Sequence, residues 1–316
     1  MGLAFLFPGQ GAQVVGMGKE IAGTFPQAMA IYDRASKVLG FDLAKVCFDG
    51  PASRLNSTAV AQPAILATSL AILEAMKASL GEDMPSPSAC AGLSLGEYTA
   101  LHVAGIIGLE DCLRLVQVRG QAMEAAAQAQ PGGMVSIIGL QLEQVRALCE
   151  QAAQGELLQP ANLNCPGQIV ISGTAAACER ALAIASQFGA TKAIRLEVSG
   201  AFHCPLMAPA ARALEQALAS CRINWPGPIR VVANLTADYY QSPQQVRQWL
   251  VGQLTSPVLW QQCIERLIAD GIETFLEIGP GRVLTGLARR IDRKARVFNI
   301  SDLSALESLR SSGLEG

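Results

Sequence analysis

The residues best placed to do chemistry are Gly92-Leu93-Ser94-Leu95-Gly96, a G-x-S-x-G pattern. Before it, Pro87-Ser88-Ala89-Cys90-Ala91 is short and small enough for a buried strand. After it, Glu97-Tyr98-Thr99-Ala100-Leu101 starts a helix. Strand, tight turn and helix form the setting a nucleophile elbow requires. The glycines allow a strained turn that lifts the serine hydroxyl clear of the sheet. The helix start offers free N–H groups and a positive dipole end to a developing oxyanion. With 30 glycines in 316 residues, a glycine-rich turn carrying a bystander serine is the competing reading. The flanking context weighs against it.

A serine hydroxyl is a poor nucleophile near neutral pH and needs a base within hydrogen-bond reach. The chain holds 2 histidines. His102, on the same expected helix as Ser94, would sit about 12 Å further along its axis. That is too far for direct proton transfer, so His102 reads as a helix residue near the core. His203 lies in Ser199-Gly200-Ala201-Phe202-His203-Cys204-Pro205, where Pro205 opens the next helix and leaves His203 on the loop before it. Such loops commonly carry catalytic bases, so by elimination His203 is the expected base. No acid advertises itself as the third member of a triad; Asp238, Asp270 and Glu277 are unremarkable. A backbone carbonyl can orient an imidazole N–H equally well.

Arg119 is the third residue of interest. It borders an apolar helical face of Cys112, Leu115, Val116, Ala122 and Met123, and a buried guanidinium needs an anion. Its rigid fork suits a carboxylate. On spacing alone, an internal salt bridge with Glu97 or Glu124 has the edge over a ligand-binding role.

Apolar strand-like runs alternate with helical patterns along the chain, which predicts an α/β fold with a parallel sheet. Strands are expected at Leu3–Phe7, Ile229–Ala233, Thr274–Ile278 and Ala295–Ile300. Helices are expected at Pro63–Leu80, with proline in its first turn, and at Leu109–Ala127. The middle reads differently: strand Met134–Leu140, helix Leu142–Ala152, strands Leu158–Leu163 and Gln168–Ser172, helix Thr174–Phe188 and strand Lys192–Val198. That order is the β-α-β-β-α-β ferredoxin-like unit. A small subdomain, 129–198, is therefore expected as an insert in a large one made of 1–128 and 199–316. Ser311–Gly316 reads as a frayed tail.

Hydrophobic content of 50% with 16% charged residues suits a deep-cored enzyme. A net charge of −2 gives no nucleic-acid signature. The 9 cysteines form no C-x-x-C pair, which suggests neither a disulfide framework nor a zinc site. The apolar N-terminus lacks the basic region of a signal peptide. Ala59–Met76 is interrupted by Gln62, Pro63, Thr68, Ser69 and Glu74, which argues against a membrane span. Together these features place the protein in the cytoplasm, with no metal and no membrane partner. Gly9-Gln10-Gly11 fails the G-x-G-x-x-G pattern at Val14, and Ile278-Gly279-Pro280-Gly281 loses a donor at Pro280. Both are expected to be close-approach loops at the mouth of a site.

Phe7-Pro8-Gly9-Gln10-Gly11, Gly92 to Tyr98, Arg119-Gly120, Asn162-Leu163-Asn164, Gly200-Ala201-Phe202-His203 and Glu277-Ile278-Gly279-Pro280-Gly281 together resemble the malonyl-CoA:acyl-carrier-protein transacylases, in family order along nearly the whole chain. The resemblance implies a hydrolase-like α/β core with the ferredoxin-like insert. It also implies ping-pong transfer of malonyl from malonyl-CoA to the pantetheine thiol of a holo-acyl carrier protein, in fatty-acid synthesis. No cofactor is implied beyond the coenzyme A thioester as substrate. Ser94 would be the nucleophile and His203 the base. The N–H groups of Gln10 and Leu95 would form the oxyanion hole, and Arg119 would clamp the malonyl carboxylate, which reverses the preference drawn from spacing. The backbone carbonyl of Gln253 would orient the histidine. Asn162 would line the acyl and pantetheine path, and Phe202 would favour malonyl over methylmalonyl.

One position departs from the pattern. Many members carry histidine before the nucleophile, where this chain has Leu93, as members from photosynthetic lineages often do. An acidic carrier calls for a basic docking surface. Lys192, Arg289 and Arg290 are candidates, with a solvated helix end as the competing reading. The rival functions are an acyl-carrier-protein acylhydrolase, a trans-acting acyltransferase of polyketide synthesis, and a non-catalytic carrier-binding module.

Overall fold

The computed structural model describes residues 2–312. Five parallel strands form the large sheet: β1 (Gly2–Phe7), β2 (Ala89–Gly92), β7 (Arg230–Val231), β8 (Ile272–Ile278) and β9 (Arg296–Ile300), in the order β7-β2-β1-β8-β9. Period-2 alternation sends Leu3, Phe5 and Phe7 of β1 into one apolar cluster and Ala4 and Leu6 into another on the opposite face. The first face is covered by helices that include Thr58–Leu80 and Leu109–Ala129. The second is covered by Trp260–Ala269 and Val283–Ile291. A parallel sheet buried on both faces needs such near-continuous apolar strands.

The inserted unit is a four-stranded antiparallel sheet of β3 (Gly132–Ile138), β4 (Leu158–Cys165), β5 (Gln168–Thr174) and β6 (Lys192–Arg195), in the order β4-β5-β3-β6. Helices Leu142–Ala153 and Ala175–Ile184 pack on one of its faces around Val135, Ile137, Leu148 and Ile171. The β-α-β-β-α-β order expected from sequence is present. We propose 129–198 as the subdomain, with 1–128 and 199–316 as its host. The chain leaves helix Leu109–Ala129 just before β3 and re-enters the large unit through the loop that carries His203.

Several boundaries differ from the sequence reading. The helix expected from Pro63 begins at Thr58, so Pro63 lies inside it. A proline there forfeits one backbone bond, yet Pro63 is buried within the helix's packed face and its fixed φ suits the helix. This helix and the turn after it, Thr58–Asp83, are long and apolar enough to cross a membrane, but 83% of the apolar window is buried within the protein. β6 ends at Arg195, short of Val198, and β7 keeps only Arg230 and Val231. The helix expected through Phe188 tightens to 3₁₀ geometry from Ala185 and closes on left-handed Gly189. Of the expected frayed tail, Ser311 and Ser312 end a helix, Leu303–Ser312, and 313–316 lie outside the described residues.

Candidate active site

Ser94 sits between β2 and helix Gly96–Val103 with φ 52°, a left-handed conformation for a non-glycine residue. Such strain costs about 1–3 kcal/mol and persists only when surroundings over-determine it. Here they do. A Cβ on Gly92 would meet the Gly96 carbonyl carbon at 1.9 Å, and one on Gly96 would meet the Phe7 oxygen at 2.1 Å. Only glycine at both positions lets the turn close against the end of β1. Leu93 N–H donates to the Phe7 oxygen (3.1 Å), and Ser94 N–H donates to Asn234 Oδ1 (2.6 Å). The Asn234 amide in turn donates to the Gly92 oxygen (2.8 Å).

His203 lies on the loop just before Pro205–Met207, also left-handed at φ 58° and 4% exposed. Its Nε2 is 2.8 Å from Ser94 Oγ, and its Nδ1 is 2.8 Å from the Gln253 carbonyl oxygen. Since a carbonyl only accepts, Nδ1 carries the proton and Nε2 presents its lone pair to the serine hydroxyl. Burial and the neighbouring Arg119 charge hold the imidazole down at about 4, against the raising effect of the Gln253 carbonyl. His102 stands apart, with Nδ1 bonded to the Ile107 oxygen at 2.9 Å.

Arg119 is 1% exposed. Its Nη1 donates to Gln62 Oε1 (2.8 Å), and its Nη2 donates to both Gln253 Oε1 (2.9 Å) and Ser94 Oγ (2.9 Å). The ion pair that spacing favoured does not form among the described residues. Glu124 accepts from Ala59 N–H at 3.2 Å, and Glu97 reaches Arg119 only through the Gln253 amide. The guanidinium is held by neutral acceptors and by the face of Tyr98, 5.5 Å away. Burial pulls its pKa below the ordinary value. A cation so buried, with only neutral hydrogen-bond acceptors, has the chemistry to accept a ligand anion.

Glu97, 1% exposed, lies beneath the elbow. Its Oε1 accepts from Tyr240 OH, and its Oε2 accepts from Gln253 Nε2 (2.6 Å) and Asn234 N–H (3.1 Å). Burial pushes its carboxyl up to about 7.

The chain matches the family described as acyl transferase domain over residues 4–305. The malonyl CoA-acyl carrier protein transacylase of Bacillus subtilis is 43% identical over 96% of this chain and 95% of its own length. That of Escherichia coli K12 is 42% identical over 96% and 97%. The chain belongs to the malonyl-CoA:acyl-carrier-protein transacylase family. A solved transacylase of this family from Coxiella burnetii superposes with a TM-score of 0.94 at 38% identity, covering 98% of this chain and 97% of that one. A malonyl-transacylase solved in complex with a type II polyketide acyl-carrier protein superposes equally well, at 0.94 and 39% identity over 99% and 100%.

The remaining residues singled out by the family resemblance fall around this centre. Leu95 is buried at the start of helix Gly96–Val103. The loop bearing Gln10 packs on the elbow, where a Cβ on Gly9 would meet the Leu93 oxygen at 2.4 Å. Gln10 Nε2 donates to Thr58 Oγ1 (3.2 Å). Asn162 is half-buried on β4, pairs with Val170 and bridges to Val258, in the segment before helix Trp260–Ala269. Phe202 is buried beside the base. Loop 279–281 meets the β1 loop: a Cβ on Gly279 would lie 2.6 Å from Pro8, and one on Gly281 would lie 3.7 Å from Ala12.

The candidate docking cations are partly engaged within the fold. Arg289 donates to the Val297 oxygen (3.1 Å), and Arg290 donates to Gln168 Oε1 (2.5 Å) and the Pro166 oxygen (3.3 Å). Lys192 is exposed at the start of β6. Sequence reasoning missed Asn234, Gln62, Tyr240 and the role of Glu97. Only Glu97 carried a signal, an acid one residue past the second elbow glycine.

Proposed function

We propose that the chain transfers malonyl from malonyl-CoA to the pantetheine thiol of a holo-acyl carrier protein in fatty-acid synthesis, through a malonyl ester on Ser94. One observation carries this reading: Ser94 Oγ lies 2.8 Å from a neutral imidazole nitrogen and 2.9 Å from a buried guanidinium nitrogen. A nucleophile touching both a base and an anion clamp suits an acyl group with a carboxylate at its far end.

In the first half-reaction His203 Nε2 takes the Ser94 proton as Oγ attacks the thioester carbonyl. The oxyanion is met by the N–H groups of Gln10 and Leu95, at the positive end of helix Gly96–Val103. As the C–S bond breaks, the imidazolium returns its proton to the departing coenzyme A sulfur. In the second half-reaction His203 deprotonates the carrier thiol, the thiolate attacks the ester, and Ser94 leaves as the alcohol. The Gln253 carbonyl keeps the imidazole in the required tautomer and stabilises its charged form, the part an aspartate plays in other triads. Arg119 holds the malonyl carboxylate throughout, and Phe202 and Asn162 shape the acyl and pantetheine path. Lys192, Arg289 and Arg290 are offered as part of the carrier surface, and the cytoplasm as the place of action.

Radiolabelled malonyl-CoA, supplied with and without holo-carrier, tests this reading. Label moving to the carrier supports it. Label released as free malonate with the carrier left unlabelled would assign an acylhydrolase instead.

A further inference from the structure

Three hydrogen bonds, from Gln253, Asn234 and Tyr240, converge on the Glu97 carboxylate, which touches no reacting atom. The Gln253 amide is bonded on both ends: Oε1 accepts from Arg119 Nη2 (2.9 Å), while Nε2 donates to the Ser94 oxygen (3.1 Å) and to Glu97 Oε2 (2.6 Å). The same residue's backbone oxygen orients His203 (2.8 Å). Asn234, whose side chain holds the Ser94 N–H at 2.6 Å, has its own backbone N–H on Glu97 Oε2 at 3.1 Å. Tyr240 OH fixes the other oxygen of that carboxylate. Ser94, His203 and Arg119 come from three distant segments, and each is tied to Glu97 through one intermediary.

We propose that Glu97 is a positioning residue of the transacylase site, acting through Gln253 on the base and the anion clamp and through Asn234 on the strained elbow. Its carboxylate supplies a fixed pair of acceptors. An unheld Gln253 amide would turn, release Arg119 Nη2 and loosen the carbonyl that faces His203. Nucleophile activation and selectivity for the acyl carboxylate therefore depend on one side chain. The inference deepens the function proposed above and rests on it for the selectivity readout.

Two substitutions separate geometry from charge. In Glu97→Gln the amide oxygen accepts from Gln253 and Asn234 while its NH₂ donates to the Tyr240 oxygen, so the scaffold survives without the charge. In Glu97→Asp the charge survives, but the side chain is one methylene too short to span Tyr240 and Gln253. Two readouts apply to folded protein: the rate of Ser94 labelling by a fluorophosphonate, which needs no acyl-group recognition, and the ratio of malonyl to acetyl transfer. Expected is that Glu97→Gln stays within about 3-fold of wild type in both, while Glu97→Asp labels about 30-fold more slowly and loses about 10-fold in the ratio, losses of the size that follow misplacement of a catalytic group. The reverse order, equal losses in the two variants, or an unchanged ratio in Glu97→Asp overturns the proposal. Failure of the function itself would look different: wild type would label with fluorophosphonate yet transfer no malonyl.

Discussion

Replacing Arg119 with alanine isolates the recognition of the acyl carboxylate. In the intact site the guanidinium is 1% exposed and bonded only to uncharged acceptors, one of which is the nucleophile. A malonyl carboxylate arriving there completes a buried, charge-assisted pair. Deleting one partner of such a pair costs about 3–5 kcal/mol, because the other charge is left buried and unpaired. At about 1.4 kcal/mol per decade, that is a loss of about 140- to 4,000-fold in kcat/KM for malonyl-CoA. Acetyl-CoA brings no carboxylate, so it loses only the contact between Nη2 and Ser94 Oγ and gains relief from an unpaired cation. The malonyl-to-acetyl ratio should therefore fall by at least 100-fold, whatever happens to the absolute rates. Single-turnover acylation followed by intact mass measures both rates on the same sample. A ratio within 3-fold of wild type would refute the clamp. Arg119→Lys should behave more like alanine than like arginine, since an ammonium cannot engage Gln62, Gln253 and a carboxylate together in the plane of a fork.

Further outcomes follow from the same geometry. The His203 imidazole, held at about 4 against an ordinary 6.5, should give an acid limb of kcat/KM well below that of a free imidazole; a midpoint at 6.5 or above would contradict the buried, Arg119-facing base. In stability the two shifted groups oppose each other. His203 favours the fold above 6.5 and loses that contribution as pH falls towards 4, whereas Glu97, raised from 4.5 to about 7, favours it below 4.5 and loses that as pH rises. Each is worth about 3 kcal/mol at full extent, so stability should be nearly level between pH 4.5 and 6.5. His203→Ala should convert this to a decline with rising pH, read by chemical denaturation at several pH values. Gly96→Ala should cost about 1–3 kcal/mol through overpacking against the Phe7 carbonyl, while Gly286→Ala, where a Cβ meets nothing within 4 Å, should be neutral or stabilising in the same thermal melts.

The parts of the site that announce themselves in the sequence are those whose chemistry is local. The elbow is legible because glycine spacing encodes a backbone shape, and His203 because so few bases compete with it. Arg119 shows the limit of such reading. Spacing alone favoured an internal salt bridge with Glu97 or Glu124, but its actual contacts, Gln62 and Gln253, come from other helices, and their neutrality could not be read from spacing. Gln253 entered through family resemblance alone, and Asn234 and Tyr240 not at all. A buried Asn, Gln or Tyr gains its function from what long-range folding brings to it, and no local pattern marks that. In the fold, the β-α-β-β-α-β insert was visible because short apolar runs at the positions of β3 and β5, each buried over five consecutive residues, are separated by stretches of helical spacing. The start of the helix at Thr58 was missed because Pro63 imitates a first-turn proline, and burial overrides that local preference.

The central claim is that Ser94, activated by His203, carries the acyl group between two thiols. Peptide mapping of the protein quenched in acid after brief exposure to malonyl-CoA tests it most directly. The expected result is a malonyl ester on the peptide bearing Ser94, lost on addition of holo-carrier thiol and absent from Ser94→Ala. A malonyl adduct on another residue, or one undiminished in Ser94→Ala, would contradict it.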